Sequence, residues 1–187
     1  AGRPVHVECT VQPTQLDGRR SGSVVAFRDI SARRQLEEEL RWQASHDSLT
    51  HLCNRAHFES QLDQEVLRLK HSQQRSLLLF VDLDRFKYIN DTAGHGAGDQ
   101  LLVEVSHRLK SRVRSADTLA RIGGDEFALI LRNVKGEDVG EMAEEFRRAL
   151  SNGPFVYGGR SYRVTASIGA ALMDQSTPSP SDAMATA

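Results

Sequence analysis

Leu119 to Leu131 reads LARIGGDEFALIL, with Gly123-Gly124-Asp125-Glu126 set between two short apolar runs. The flanks have the apolar character of paired, buried strands, whereas two glycines followed by two carboxylates cannot continue a buried sheet. The stretch therefore reads as a β-hairpin with the glycines at its tip. Positive φ angles at Gly123 and Gly124 would close the turn, and the missing Cβ atoms would let a ligand approach the backbone. Glycine pairs also make ordinary turns, so the tip gains chemical meaning only from what the rest of the chain sets beside it.

The first such neighbour is SLLLFVDLDRFK, Ser76 to Lys87. A buried strand over Leu77 to Asp84 would present Asp82 and Asp84 on one face at its end. In isolation one of the two aspartates caps or turns the chain while the other is solvated. Beside the glycine hairpin, Asp82 and Asp125 would converge, and like charges brought together there call for a cation between them. All-oxygen ligands, few in number and with room for water, favour Mg²⁺ (or Mn²⁺) over zinc. An EF-hand is excluded because Lys87 stands where that loop needs its turn glycine. Further on, INDTAGHGAGD sets Asn90 and Asp99 on either side of a glycine-rich bend, a donor-acceptor amide and a carboxylate suited to a base such as guanine.

Helical periodicity appears at Phe58, Leu62, Val66 and Leu69, at Leu101, Leu102, Val105 and Leu109, and at Val139, Met142, Ala143, Phe146 and Leu150. A β-rich run, YRVTASIGAAL, follows from Tyr162. The order helix, strand, helix, hairpin, helix, strand predicts an α+β sandwich with a mainly antiparallel central sheet flanked by helices. This main domain begins near Asp47 and runs over 47-187. Residues 4 to 30 read as a hairpin turning at LDGRRSG, and Ser31 to about Ala44 as a helix with Leu36 and Leu40 on one face. That helix suits either a solvated linker or a dimerising coil.

With 187 residues, 26% charged, and a mean hydropathy of -0.44, the chain has room for one domain plus a short extra element. A net charge of -1 gives no general attraction to phosphate backbones, so no nucleic-acid partner is expected. Cys9 and Cys53 lack any CxxC spacing and read as reduced thiols. No apolar leader or spanning run is present, which predicts a cytoplasmic segment. An opening residue other than Met and a helical pattern that starts in SPSDAMATA predict a piece of a longer protein.

Five ordered motifs, DSLTHLCNRAHF, VDLDRFKYINDTAGHGAGD, RSAD, RIGGDEF and VTASIG, together span about residues 46 to 170. In them the chain resembles the GGDEF domain, the diguanylate cyclase family. The resemblance implies a palm-like nucleotidyl cyclase fold that condenses two GTP into cyclic di-GMP and pyrophosphate. It implies two Mg²⁺ ions held by Asp82, the carbonyl of Leu83 and Asp125. Glu126 is then the candidate for activating the 3′-hydroxyl, with a metal-bound water or hydroxide as the alternative. Asn90 and Asp99 fall at the guanine-reading positions. Phe86 and Lys87 form the phosphate-contacting turn, and Gly123 and Gly124 supply the bare backbone. Arg121 contacts phosphate or only decorates the hairpin. Arg114 and Asp117 match the family's inhibitory RxxD site for the product.

Asp47 and Arg55 match architectural positions and are expected to pair with each other. The chain departs from the common pattern at His51, where glycine is frequent, and at Ala56, where a second arginine is frequent. The family's last helix, with its phosphate-gripping lysine and arginine, is not in the sequence, so weak turnover by this segment is expected. Residues 1-30, running into FRDIS (Phe27 to Ser31), resemble the last strands of a PAS sensor, and 31-46 would link it to the cyclase domain. The implied partners are GTP, cyclic di-GMP, a second copy of the domain for catalysis, an adjacent PAS sensor and an EAL domain in the parent protein. Two other functions fit part of the pattern: a GTP- or cyclic di-GMP-sensing module regulating a neighbouring domain such as an EAL phosphodiesterase, and a DxD-type glycosyltransferase. The last leaves the glycine hairpin unexplained.

Overall fold

The computed structural model describes residues 5–16, 19–135 and 139–187. The chain divides into two compact units, Ala1–Ala44 and Ser45–Ala187. In the first, β1 (Val7–Leu16) and β2 (Arg19–Asp29) pair antiparallel, with Cys9 opposite Phe27 and Val11 opposite Val25, and α1 (Ser31–Ser45) follows. Val7, Val11, Val25 and Phe27 share one face of this hairpin and are all exposed. Asp17 and Gly18 of the expected turn lie outside the described residues.

The second unit comprises α2 (Arg55–Lys70), β3 (Ser76–Leu83), α3 (Phe86–Ala93), α4 (His95–Lys110), β4 (Thr118–Gly123), β5 (Glu126–Leu131), α5 (Val139–Ser151), β6 (Phe155–Tyr157), β7 (Arg160–Tyr162), β8 (Ala166–Met173) and α6 (Pro180–Thr186). Its main sheet has the order β4-β5-β3-β8, and every neighbouring pair is antiparallel. The β-rich run from Tyr162 is not one strand. Arg160 to Tyr162 pairs with β6 in a separate small hairpin, and only the part from Ala166 onward joins the main sheet.

Side-chain alternation along β3 and β5 divides the core in two, because successive residues of a strand face opposite sides. Leu77, Leu79, Val81 and Leu83 of β3 join Phe127, Leu129 and Leu131 of β5 against α4 residues Leu101, Leu102 and Val105 and α5 residues Phe146 and Leu150. Leu78, Ala128 and Ile130 face the other way, onto Phe58, Leu62, Val66 and Leu69 of α2 and Ala183 of α6. Helix α2 starts where the Asn54 side chain accepts a hydrogen bond from the His57 N–H at 3.0 Å, satisfying one of the helix's free amides. Gly94, at φ 86°, separates α3 from α4 and so lets the chain double back.

His51 has φ 57°. This left-handed conformation costs an L side chain roughly 1 kcal/mol and costs glycine little, which is a physical reason for glycine being frequent there. His51→Gly is expected to raise stability by about 0.5–1 kcal/mol, read as a higher urea midpoint with an unchanged slope. A lower midpoint would show that contacts of the imidazole outweigh the backbone strain.

Glu65 is a buried carboxylate on α2, with its side chain 1% exposed. Burial by itself would raise its pKa, but hydrogen bonds from Arg68 and the Ser76 hydroxyl, and a further one from Arg132, outweigh burial and hold it below 4.5. Asp47 is also depressed: burial opposes, while the Thr50 hydroxyl and N–H and the Arg121 guanidinium win. An acid whose folded-state pKa is lowered contributes stability that is complete above its unfolded value and is lost as pH falls through the folded one. Urea midpoints should therefore decline below about pH 4.5, and Glu65→Gln should make that decline shallower. An acid limb identical to that of the parent protein would remove Glu65 from this account.

Candidate functional site

The glycine tip sits at one end of the main sheet. Asp82 is opposite Glu126 in the β3–β5 register, and the Leu83 N–H donates to the Asp125 carbonyl at 3.3 Å. Asp82, Leu83, Asp125 and Glu126 thus meet at the sheet end, as the two separate sequence motifs require. Burial first, then the charges of Asp125 and Asp84, hold the Asp82 carboxyl above its ordinary value. That unfavourable crowding is what a divalent cation would relieve. Two carboxylates and one carbonyl suit Mg²⁺, which commonly takes its remaining ligands from substrate phosphates and water. Among the described residues no group of three or more His, Cys, Asp or Glu side chains is arranged to hold a metal.

Three expectations change at the tip. Gly123 and Gly124 are not among the residues with positive φ. A register shift between Arg121 and Gly123 accommodates the turn instead, and the glycines contribute only the absence of side chains. A Cβ on Gly123 would approach Glu126 Oε2 to 3.1 Å, whereas one on Gly124 would meet nothing within 4 Å, so bare backbone faces outward at Gly124. β3 ends at Leu83, one residue before the expected Asp84, whose carboxylate accepts a hydrogen bond at 2.8 Å from the hydroxyl of Ser167, the residue opposite Asp82 on β8. Asp47 does not pair with Arg55, whose partner is Glu59 at 2.9 Å. It pairs with Arg121, whose Nη1 lies 3.2 Å from both carboxylate oxygens.

Arg121 also donates from Nε and Nη2 to the Gly124 carbonyl at 3.1 and 2.8 Å. Its guanidinium is thus engaged in holding the tip to the segment before α2. Nothing in the spacing of Asp47 and Arg121, 74 positions apart, signals that link.

Asn90 is on α3, and Asp99 is exposed just past the first turn of α4, across the Gly94 break. Gly98 makes this arrangement possible: a Cβ there would collide with Asn90 Oδ1 and lie 3.1 Å from Cζ of Phe86. Phe86 packs partly buried against the core, while Lys87 is exposed at the start of α3, where the first backbone N–H groups are free of helical partners. From sequence Gly98 stands only as part of a glycine-rich bend.

Arg114 and Asp117 close their own turn. The Arg114 N–H donates to Asp117 Oδ2 at 2.8 Å, and the Asp117 N–H donates to the Arg114 carbonyl at 3.0 Å. They border a cavity of about 430 Å³ that is also lined by Arg112, Arg132, Lys135 and Phe146. Among the described residues no helix is long and apolar enough to cross a membrane.

An antiparallel sheet with a carboxylate-bearing hairpin at one end and a polar, glycine-spaced helix pair beside it defines the class as an α+β domain with its acidic residues gathered at one sheet end. Residues 44–187 match the family described as diguanylate cyclase, GGDEF domain, and the chain belongs to that family. It is 43% identical over 183 residues to a probable diguanylate cyclase, DgcE, of Escherichia coli, covering 98% of this chain and 16% of that protein. It is 41% identical over 134 residues to the bifunctional diguanylate cyclase/cyclic di-GMP phosphodiesterase MucR of Pseudomonas aeruginosa, covering 72% and 19%. The crystal structure of the coiled coil and GGDEF domain of DgcB from Caulobacter crescentus in complex with c-di-GMP superposes with a TM-score of 0.76, at 28% identity and 83% coverage of each chain. The chain spans less than a fifth of the two curated relatives' length.

Proposed function

We propose that this chain carries a diguanylate cyclase domain, in which two GTP molecules held by two copies condense to cyclic di-GMP and pyrophosphate. The observation that carries the reading is the convergence of Asp82 and Asp125 at the sheet end beside the exposed Gly124 backbone. Asp82, the Leu83 carbonyl and Asp125 would hold Mg²⁺ (or Mn²⁺), which when bound supplies charge neutralisation of the triphosphate and polarisation at the α-phosphorus.

The chain's own groups then position the substrate. Asn90 and Asp99 read the guanine edge, with the Asp99 carboxylate accepting from N1–H and N2–H₂, groups that adenine does not offer in that pattern. The N–H groups at the start of α3 and the Lys87 ammonium receive phosphate oxygens. Glu126, opposite Asp82, takes the proton of the attacking 3′-hydroxyl. Each chain holds one nucleotide, so the hydroxyl of one must reach the α-phosphate of the other, which makes a homodimer part of the mechanism. Arg114 and Asp117 bind the product and limit further synthesis. Residues 1-30 and 31-46 act as the end of a PAS-type sensor and its connecting helix.

Incubation with GTP and Mg²⁺, followed by separation of cyclic from linear dinucleotides, tests this. Cyclic di-GMP is expected, and its absence at any protein concentration would reject catalysis. The likeness to a bifunctional protein supports a second reading, in which the domain binds GTP or cyclic di-GMP and regulates an adjacent EAL-type phosphodiesterase. Nucleotide binding without turnover would select it.

Gly98→Ala provides a local check on the guanine site. The added methyl displaces the Asn90 amide, so KM for GTP should rise about tenfold or more while the fold persists, since a side-chain amide can swing aside. An unchanged KM would remove Asn90 from base recognition.

A further inference from the structure

Glu65 accepts from Arg132 Nε at 2.9 Å, from Arg68 Nη2 at 2.7 Å and from the Ser76 hydroxyl. Arg132, so anchored, donates from Nη1 to the Ala116 carbonyl at 2.6 Å and from Nη2 to Gln61 at 3.1 Å, and its backbone N–H donates to Asp117 Oδ1 at 2.9 Å. Ala116 and Asp117 are the last two residues of the RSAD turn. Among the described residues Glu65 lines neither the cavity of about 430 Å³ beside that turn nor a second, of about 520 Å³, that shares Arg114, Asp117 and Arg132.

We infer that Glu65 is a positioning residue for the cyclic dinucleotide product, acting through Arg132 to fix the Arg114–Asp117 turn from inside the core. The inference rests on the product-site reading above. Both Glu65 oxygens are filled by donors, so only a carboxylate satisfies the site. Glutamine would place an NH₂ donor against a guanidinium or the Ser76 hydroxyl. Arg132 would then lose the anchor that directs its Nη1 to the Ala116 carbonyl, and the turn would sample conformations in which Arg114 and Asp117 no longer fit one ligand together. Binding the product would first require selecting the competent conformation, which weakens apparent affinity by the fraction populated.

The test is calorimetric titration of the 187-residue chain with cyclic di-GMP, alongside initial-rate GTP kinetics at low product and a thermal melt that establishes folding at the assay temperature. Glu65→Gln is expected to weaken cyclic di-GMP binding about tenfold while kcat and KM for GTP stay within about twofold. General loosening of the domain would move both sets together. Arg132→Lys keeps a charge but cannot reach Glu65, Gln61 and Ala116 at once, so it should weaken binding similarly and add little to Glu65→Gln in the double variant. It also serves if Glu65→Gln does not fold. Folded Glu65→Gln protein with parental affinity would overturn the inference, as would parental affinity in Arg132→Lys. Loss of binding in Arg114→Ala with retention in Glu65→Gln rejects the positioning role alone. A parent chain that does not bind cyclic di-GMP at all rejects the product site and the positioning role together.

Discussion

Asp125→Ala is expected to lower the rate of cyclic di-GMP formation by about 10³-fold or more, equivalent to roughly 4 kcal/mol of transition-state stabilisation. The side chain removed is one of the two carboxylates that the hairpin and β3 bring together, and the Leu83 N–H to Asp125 carbonyl bond keeps the backbone in place whatever the side chain. The fold should therefore survive, because the substitution also relieves the charge that Asp125 places on Asp82. A melt at pH 7 without metal should show unchanged or slightly higher stability, and added Mg²⁺ should protect the variant less than its parent. Turnover within tenfold of the parent would detach the activity from this pair and send the metal site elsewhere.

Phe127→Ala is expected to cost about 3–5 kcal/mol, a large part of the 5–15 kcal/mol available to a typical domain. Phe127 is fully buried, pairs across β5 with Val81 and with Arg121, and joins the larger of the two cores. Its loss opens a cavity directly beneath the residues that carry Asp125 and Arg121. Urea denaturation should show a much lower midpoint, and activity should fall in proportion to the folded fraction. A cost below about 1 kcal/mol would mean that the core collapses around the gap. The signature thus joins two kinds of requirement in adjacent residues: Asp125 and Glu126 are needed for chemistry, and Phe127 for the sheet that presents them.

Much of this was readable because it depends on short-range pattern. The apolar runs on either side of Gly123 to Glu126, the apolar run before Asp82 and the helical spacing from Phe58 to Leu69 each follow from which side chains can be buried on a strand or helix of fixed period. The short hairpin of β6 and β7 was not readable. Its three-residue strands carry too little pattern to stand apart from the neighbouring run. The end of β3 was expected one residue late, at Asp84, for a related reason, since period alone cannot say where a strand stops. What ends β3 is the left-handed turn at Arg85, φ 60°, which leads into α3, while the Asp84 N–H still bonds across to the Thr165 carbonyl in the β3–β8 register.

The sequence by itself determined the layered α+β class, the acidic hairpin, the family resemblance and the candidate ligands, because each lies within a local motif whose residue types restrict one another. Only the tertiary structure decided that Arg121 clamps the tip through Asp47, that Gly98 clears the space Asn90 occupies, and that Glu65 reaches the RSAD turn through Arg132. These links join residues far apart in the chain or depend on how two helices meet. Charge pairing and close approach are set by distance in space, which the one-dimensional order of side chains does not contain.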